Sequence, residues 1–411
     1  MKEKVQAPEL RFDGFTDDWE ERKFFESIAS TIDFRGRTPK KLGMDWSDSG
    51  YLALSALNVK NGYIDPLADA HYGDEKLYRK WMSGRELKKG QVLFTTEAPM
   101  GNVAQVPDDN GYILSQRTVA FETKEDMMTN DFLAVLLKSP LVFNNLSALS
   151  SGGTAKGVSQ KSLKGLSITV PLDIDEQQKI GAFFKQLDDT IALHQRKLDL
   201  LKEQKKGYLQ KMFPKNGAKV PELRFAGFAD DWEERKLKDI AQFNPKTVLP
   251  DEFEYVDLES VVGTEMISHR TESKDQAPSR AQRLAQKGDV FYQTVRPYQM
   301  NNYLYDLPYD NYVFSTGYAQ MRPNIDSYFL LNSVQNKQFV QHVLDRSTGT
   351  SYPAINSSDL SNIEIHVPSK LSEQQKIGAF FQSIDDTIAL HQLKLDLLKE
   401  QKKGFLQKMF A

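Results

Sequence analysis

The chain has no cysteine in its 411 residues. That excludes disulfides, thiolate metal sites and thiol nucleophiles together, and fits a reducing compartment. No run of about 18 apolar residues occurs, and the opening MKEKVQAPEL has no apolar core for export. No membrane partner is therefore expected, and the expected location is the cytoplasm. The motifs of several catalytic classes are also missing: no GxxxxGK[ST] phosphate loop, no GxGxxG after a strand, no GxSxG elbow. A basic excess is lacking too, with 53 Lys and Arg against 56 Asp and Glu and a formal net charge of -3. Phosphate neutralisation dominates most nucleic-acid affinity, so composition alone does not mark a nucleic-acid binder.

What is present is an internal duplication. PELRFDGFTDDWEERK, from Pro8 to Lys23, returns from Pro221 to Lys236 with two changes. EQQKIGAFF…KKGYLQKMF, from Glu176 to Phe213, returns from Glu373 to Phe410 with five changes. The segments between these anchors are dissimilar, and their lengths differ: 152 residues from Phe24 to Asp175 and 136 from Leu237 to Ser372. They hold 17 basic against 18 acidic residues and 12 against 16, respectively. At 40% hydrophobic residues the chain has material for two domains of roughly 150 residues. The pattern divides it into an N-terminal repeated segment with a first variable domain (1–175), a central helix (176–213), a second repeated segment with a second variable domain (214–372), and a C-terminal helix (373–411).

The repeated EQQKI segment carries a four-three spacing over more than four heptads. Its first copy aligns Ile180, Phe184, Leu187, Ile191, His194, Leu198 and Leu201, continuing through Lys205, Tyr208 and Met212. Its second aligns Ile377, Phe381, Ile384, Ile388, His391, Leu395 and Leu398, continuing through Lys402, Phe405 and Met409. That spacing predicts a coiled-coil seam. Two seams in one chain most simply bury each other, and full antiparallel overlap sets His194 opposite Leu395 and Leu198 opposite His391. Asp173 or Asp175, and Ser372, are the expected helix starts, each followed by Glu-Gln-Gln. At ~1.5 Å per residue each helix would extend about 57 Å. The histidines read as seam residues, and the pairs Lys205-Lys206 and Lys402-Lys403 as a solvated face.

The variable segments predict a mixed α/β fold with short strands. Expected strands are Tyr51–Val59, Gln91–Thr95 and Gly111–Phe121, then Glu254–Leu258, Asp289–Gln293 and Asn311–Met321; Asp131–Asn145 and Tyr328–Leu344 are the expected helices. Lys89-Gly90-Gln91-Val92 matches Lys287-Gly288-Asp289-Val290, and Gly153-Thr154 through Val170-Pro171 matches Gly349-Thr350 through Val367-Pro368. The two heads are thus expected to share one fold with rewritten surfaces. Asp108, Glu122 and Lys124 imitate the carboxylate and lysine pattern of Mg-dependent nucleases, but Tyr312 to Pro323 has no acidic residue in the second copy. Asn244-Pro245-Lys246 lacks the second proline and the aromatic of an adenine methyltransferase motif.

PELRFDGFTDDWEERK with its repeat, the duplicated EQQKIGAFF…LDDTIALHQRKLDLLKEQKKG segments and the paired GT…VP endings resemble the specificity subunits of type I restriction-modification enzymes. The resemblance covers essentially the whole chain. It implies two similar α/β target-recognition domains, separated by repeated helices packed antiparallel, each domain reading one half of a split target in double-stranded DNA. It also implies two modification subunits that methylate adenine with S-adenosylmethionine, and restriction subunits that use ATP and Mg. This chain itself would carry no catalytic residue, cofactor or metal. Arginine suits guanine, and glutamine or asparagine suits adenine, in the major groove. The candidate reading residues are therefore loop donors and amides: Arg35, Arg37, Lys156, Ser159, Gln160 and Lys161 in the first head, and Arg296, Tyr298, Gln299, Asn301, Tyr352 and Asn356 in the second. A coiled-coil adaptor whose heads bind proteins, and an Mg-dependent nuclease, are the alternatives.

Overall fold

The computed structural model describes residues 7–150, 157–215, 217–349 and 351–410. The chain divides into two compact units: the first runs to Gln195 and resumes at Leu393, and the second is Arg196–Gln392. Each unit therefore combines the start of one repeat copy with the end of the other.

In the first unit an antiparallel sheet runs in the order Ile28–Asp33, Thr118–Thr123, Val92–Thr95, Val103–Gln105. A smaller sheet joins Tyr72–Gly73, Tyr51–Leu54 and Ile113–Leu114, with the last pair parallel. The second unit repeats the plan. Its main sheet is Ala241–Phe243, Tyr318–Pro323, Val290–Gln293, Tyr303–Leu304, and its other sheet is Arg270–Ser273, Glu252–Val256, Tyr312–Ser315, Ala281–Leu284. A two-stranded ribbon closes each head in the same register, with Glu20 opposite Val170 and Glu233 opposite Val367.

The repeated anchors explain themselves as clamps. Arg11 holds the fully buried Glu176 at 2.6 and 2.8 Å, and the Trp19 indole N–H reaches the same carboxylate at 3.4 Å. In the second unit Arg224 holds Glu373 at 2.6 and 2.9 Å, and Trp232 reaches it at 3.3 Å. The charges are buried but paired bidentately, the arrangement that burial of a carboxylate requires. Trp19 also meets Phe410 edge-on at 5.9 Å, as Trp232 meets Phe213 at 6.2 Å. The repeated glycine of KIGAFF is a packing requirement. A Cβ on Gly181 would lie 2.7 Å from the Asp131 Cβ and 2.9 Å from the Phe132 nitrogen.

The long helices are Ile174–Lys211 and Leu371–Met409. Within the first unit Phe183 meets Phe405 at 5.1 Å and Asp188 is paired with Lys402; within the second, Tyr208 meets Phe380 at 5.0 Å and Lys205 pairs with Asp385 at 2.6 Å. Early residues of one helix thus face late residues of the other, so the segments in each unit run antiparallel. Ile180, Phe184, Leu198, Leu201, Ile377, Phe381, Ile388, Leu395 and Leu398 are buried, and Leu187, Ile191, His194, Ile384 and His391 are half-buried. Lys205 and Lys402 are not on a solvated face, with side chains 16% and 20% exposed against a carboxylate. Only their neighbours Lys206 and Lys403 are exposed, paired with Glu203 and Glu400 three residues before.

Several boundaries differ from the sequence expectation. The second helix starts at Leu371, so Ser372 lies inside its first turn and Lys370 precedes it. The Gln374 side chain meanwhile donates to the Pro368 carbonyl at 2.9 Å. In the first helix Asp173 is the cap, accepting from the Asp175 N–H at 2.8 Å. Gly111–Phe121 is two strands, and so is Asn311–Met321, because the chain crosses there from the other sheet of the head to the main one. Tyr51–Val59 shortens to Tyr51–Leu54, since buried Asn58 accepts from the Ser55 N–H at 3.0 Å and folds the rest into a turn. The expected helix Asp131–Asn145 is Asn130–Lys138 followed by Pro140–Leu149: Pro140 has no N–H to donate, and Ser139 caps the new helix. Tyr328–Leu344 likewise divides into Ser327–Val334 and Lys337–Asp345, where the Asn336 side chain accepts from the Gln338 N–H.

Candidate nucleic-acid interface

In each head the central strand of the main sheet runs into a loop held by the same hydrogen bonds. After Val92–Thr95, the Thr96 N–H and hydroxyl donate to the Arg117 carbonyl at 2.8 and 3.2 Å. After Val290–Gln293, the Thr294 N–H and hydroxyl donate to the Gly317 carbonyl at 2.9 and 2.8 Å. The Thr96 carbonyl accepts from Val158, and the Thr294 carbonyl from Ile355. Both loops then place a residue with left-handed backbone before a proline: Ala98 (φ 48°) before Pro99, Arg296 (φ 54°) before Pro297. Asn102 and Asn302 close the loops, the first donating to the Val59 carbonyl and the second accepting from the Gln293 N–H. The threonine, proline and asparagine thus form a shared frame around exchanged side chains.

A cavity opens beside this loop in each head, at the carboxyl end of the central strand. In the first it is about 270 Å³ and includes Arg37, Trp46, Ser55, His71, Ala98, Gln116 and Arg117 in its lining. In the second it is about 500 Å³ and includes Asp257, Glu259, Arg280, Gln293, Arg296, Gln299, Asn301 and Ser315.

The candidates distribute unevenly around these cavities. Arg296, Gln299 and Asn301 line the second one, and exposed Tyr352 lies under the Arg296 guanidinium at 5.0 Å. Tyr298 is half exposed in the turn Pro297–Gln299. Gln299 accepts from the buried Gln293 amide at 2.9 Å, and Asn301 accepts from the Gly263 N–H at 2.8 Å. Asn356 caps the helix Ser357–Ser361, as Ser159 caps Gln160–Gly165 in the first head. Arg37 lines the first cavity, but its guanidinium donates to the Trp81 carbonyl and lies 4.2 Å over Phe34. Arg35 and Gln160 converge on Asp33, at 2.9 and 3.0 Å. Burial alone would raise the Asp33 carboxyl, but hydrogen bonds from Arg35 and Gln160 hold it below its ordinary value. Asp257 in the second head is likewise lowered, by Arg270 and Ser260, against the opposing effect of burial. Lys161 is exposed on its helix, and Lys156, with Gly153, Thr154 and Thr350 of the matched endings, lies outside the described residues.

Sequence reasoning missed Arg117, Arg280, Gln293, Trp46 and His71. Gln293 adjoins the Thr-x-x-Pro frame that both heads share, Thr96 to Pro99 and Thr294 to Pro297, whereas nothing in the residues flanking Arg117 marks it. The nuclease set does not converge: Asp108 accepts from the Tyr112 hydroxyl, Glu122 from the Ser30 hydroxyl, and Lys124 donates to the Glu26 carbonyl. Among the described residues no group of three metal-ligating side chains is found. Among them, too, no single helix is long and apolar enough to cross a membrane.

The family described as type I restriction modification DNA specificity domain matches residues 17–203 and 229–400. The chain belongs to this family. Specificity subunits of type I restriction-modification enzymes are non-catalytic. The relatives of this chain include the specificity subunit of type I restriction enzyme HindI from Haemophilus influenzae, 26% identical over 39% of this chain and 37% of that protein. The match thus spans little more than a third of the Haemophilus protein. The specificity subunit of MjaVIII from Methanocaldococcus jannaschii is 24% identical over 72% of each chain. The fold is that of the crystal structure of a type I restriction-modification S subunit from M. genitalium, with a TM-score of 0.64 at 15% identity over 99% of both chains. A chain from a structure on complex assembly and conformational transition of the type I system gives a TM-score of 0.52 at 19% identity, covering 96% of this chain and 97% of that one.

Proposed function

We propose that this specificity subunit reads a bipartite target in double-stranded DNA, one half with each head, and that two modification subunits and the restriction subunits assemble on it. The observation that carries this reading is the pair of cavities at one position of one fold, held by repeated clamps and lined by different side chains. A reader of two unlike half-sequences needs such a constant frame with exchangeable donors and acceptors. The long helices would set the separation of the halves, since base readout from one duplex face recurs at roughly 34–36 Å intervals. S-adenosylmethionine, ATP and Mg would belong to the partners, and those partners would share the phosphate contacts that the near-neutral charge leaves short.

The test is binding of the chain with its methyltransferase partner to duplexes that carry or lack the split target, at physiological salt. Preference for the target by roughly 4–10 kcal/mol is expected. Equal affinity for all duplexes would overturn the reading. In the same assay, inserting one heptad into only one long helix is expected to abolish binding or change the accepted gap between half-sites.

A further inference from the structure

Each cavity carries one arginine on a left-handed backbone, but the two arginines come from different loops. In the first head it is Arg117 (φ 65°), in the turn that enters Thr118–Thr123; in the second it is Arg296 (φ 54°), in the loop after the central strand. The hydrogen bonds of Thr96 and Thr294 make Arg117 and Gly317 counterparts, and the left-handed residues before Pro99 and Pro297 do the same for Ala98 and Arg296. Where one head has the arginine, the other has alanine or glycine.

The left-handed position before the proline belongs to the loop frame, since Ala98 takes it as Arg296 does, whereas the left-handed backbone of Arg117 is not repeated at Gly317 and is disfavoured for a long side chain. Both guanidiniums are also oriented. Arg117 Nε pairs with Glu97 at 3.0 Å, with the side chain 53% exposed. The contact is an ion pair made at Nε, and the two terminal nitrogens are the pair that spans the O6 and N7 acceptors of guanine. Arg296 lies over the Tyr352 ring, a cation–π contact that does not use its N–H donors.

Resting on the DNA-reading proposal above, we infer that Arg117 and Arg296 are specificity-determining residues, each reading a guanine in its own half-site, delivered from two different loops of the same frame. The exchange gives the two heads different approach positions on the base pairs, so a common fold recognises unlike half-sequences without changing its backbone plan.

The test uses the full-length chain assembled with its methyltransferase partner, selecting bound duplexes from a randomised pool. Arg117→Gly suits the backbone at φ 65° and is expected to keep the thermal transition. It should lower the preference for guanine at one position of one half-site by roughly 5- to 150-fold while leaving the other half unchanged. Arg296→Ala, which copies Ala98, should do the same in the other half only. Weakening of all sequences alike would make these residues phosphate contacts, and an unaltered motif would remove them from recognition; either result overturns the inference while the wild-type motif keeps the DNA reading standing. A wild-type selection that enriches no bipartite motif overturns both.

Discussion

The two heads solve the same structural problem with different chemistry at the start of the central strand. In the first, the Gln91 side chain accepts from the Lys88 N–H at 3.2 Å. In the second, the same turn is held by Asp289, fully buried, which accepts from the Gln286 N–H, from Gln320 and bidentately from Arg322 at 2.8 and 2.9 Å. A neutral amide and a charged network thus support one backbone. The difference teaches that the shared fold resides in the turn and strand pairing, while each head has committed its buried polar groups separately.

That commitment predicts unequal fragility. Asp289→Ala leaves Arg322 without its carboxylate and should cost the second unit about 3–5 kcal/mol, whereas Gln91→Ala should cost the first only about 1–2 kcal/mol. Unit-resolved hydrogen exchange measures both, and equal losses would break the comparison.

The repeated glycines sharpen it further. Gly181→Ala drives a methyl into the Asp131 and Phe132 backbone region and should cost about 1–3 kcal/mol. At Gly378 the new methyl meets the Asp326 carboxylate, which caps Phe329; that side chain can turn away, so the loss should be nearer one cap, about 1 kcal/mol. Gly207 and Gly404 have nothing within 4 Å of a built Cβ. Alanine there should stabilise its helix by roughly 0.5–1 kcal/mol, read as a rise in the urea midpoint.

The smallest effects are in titration. Asp33 and Asp257 are held below the ordinary value of 3.8, so each contributes stability that is present above that value and lost as pH falls through the lowered one. Asp385 is raised by burial, only partly offset by Lys205, so its ionisation opposes folding above its raised value and that cost disappears as pH falls below the ordinary one. Carboxyl shifts followed by NMR against pH should show Asp385 titrating above 3.8 and the other two below it.

Much of the frame was legible before the structure. The heptad spacing placed the long helices because a helical seam needs only a period, and the duplicated segments announced two similar heads. Element ends were less legible. Ser139-Pro140 carried its break in plain chemistry, but the gap between Ile113–Leu114 and Thr118–Thr123 depends on which sheet each strand joins, a pairing that local residue preference does not encode. Lys205 and Lys402 looked solvated beside a second lysine, and only their aspartate partners across the seam account for their burial. Among the reading candidates, Ser159 and Asn356 carried the right donor types for base contacts, yet those same groups cap helices. Arg117 was passed over because nothing in its flanking residues marks it as facing a cavity.

By itself the sequence determined the two-copy plan, the antiparallel-capable helices and the identity of the groups that must be paired when buried, since period and residue chemistry are local properties. Only the tertiary structure decided that Arg11 meets Glu176 across 165 residues, that each unit borrows the end of the other copy, and that Ala98 and Arg117 answer to Arg296 and Gly317. Those are relations between segments distant in the chain, and their energy exists only once the chain has brought them together.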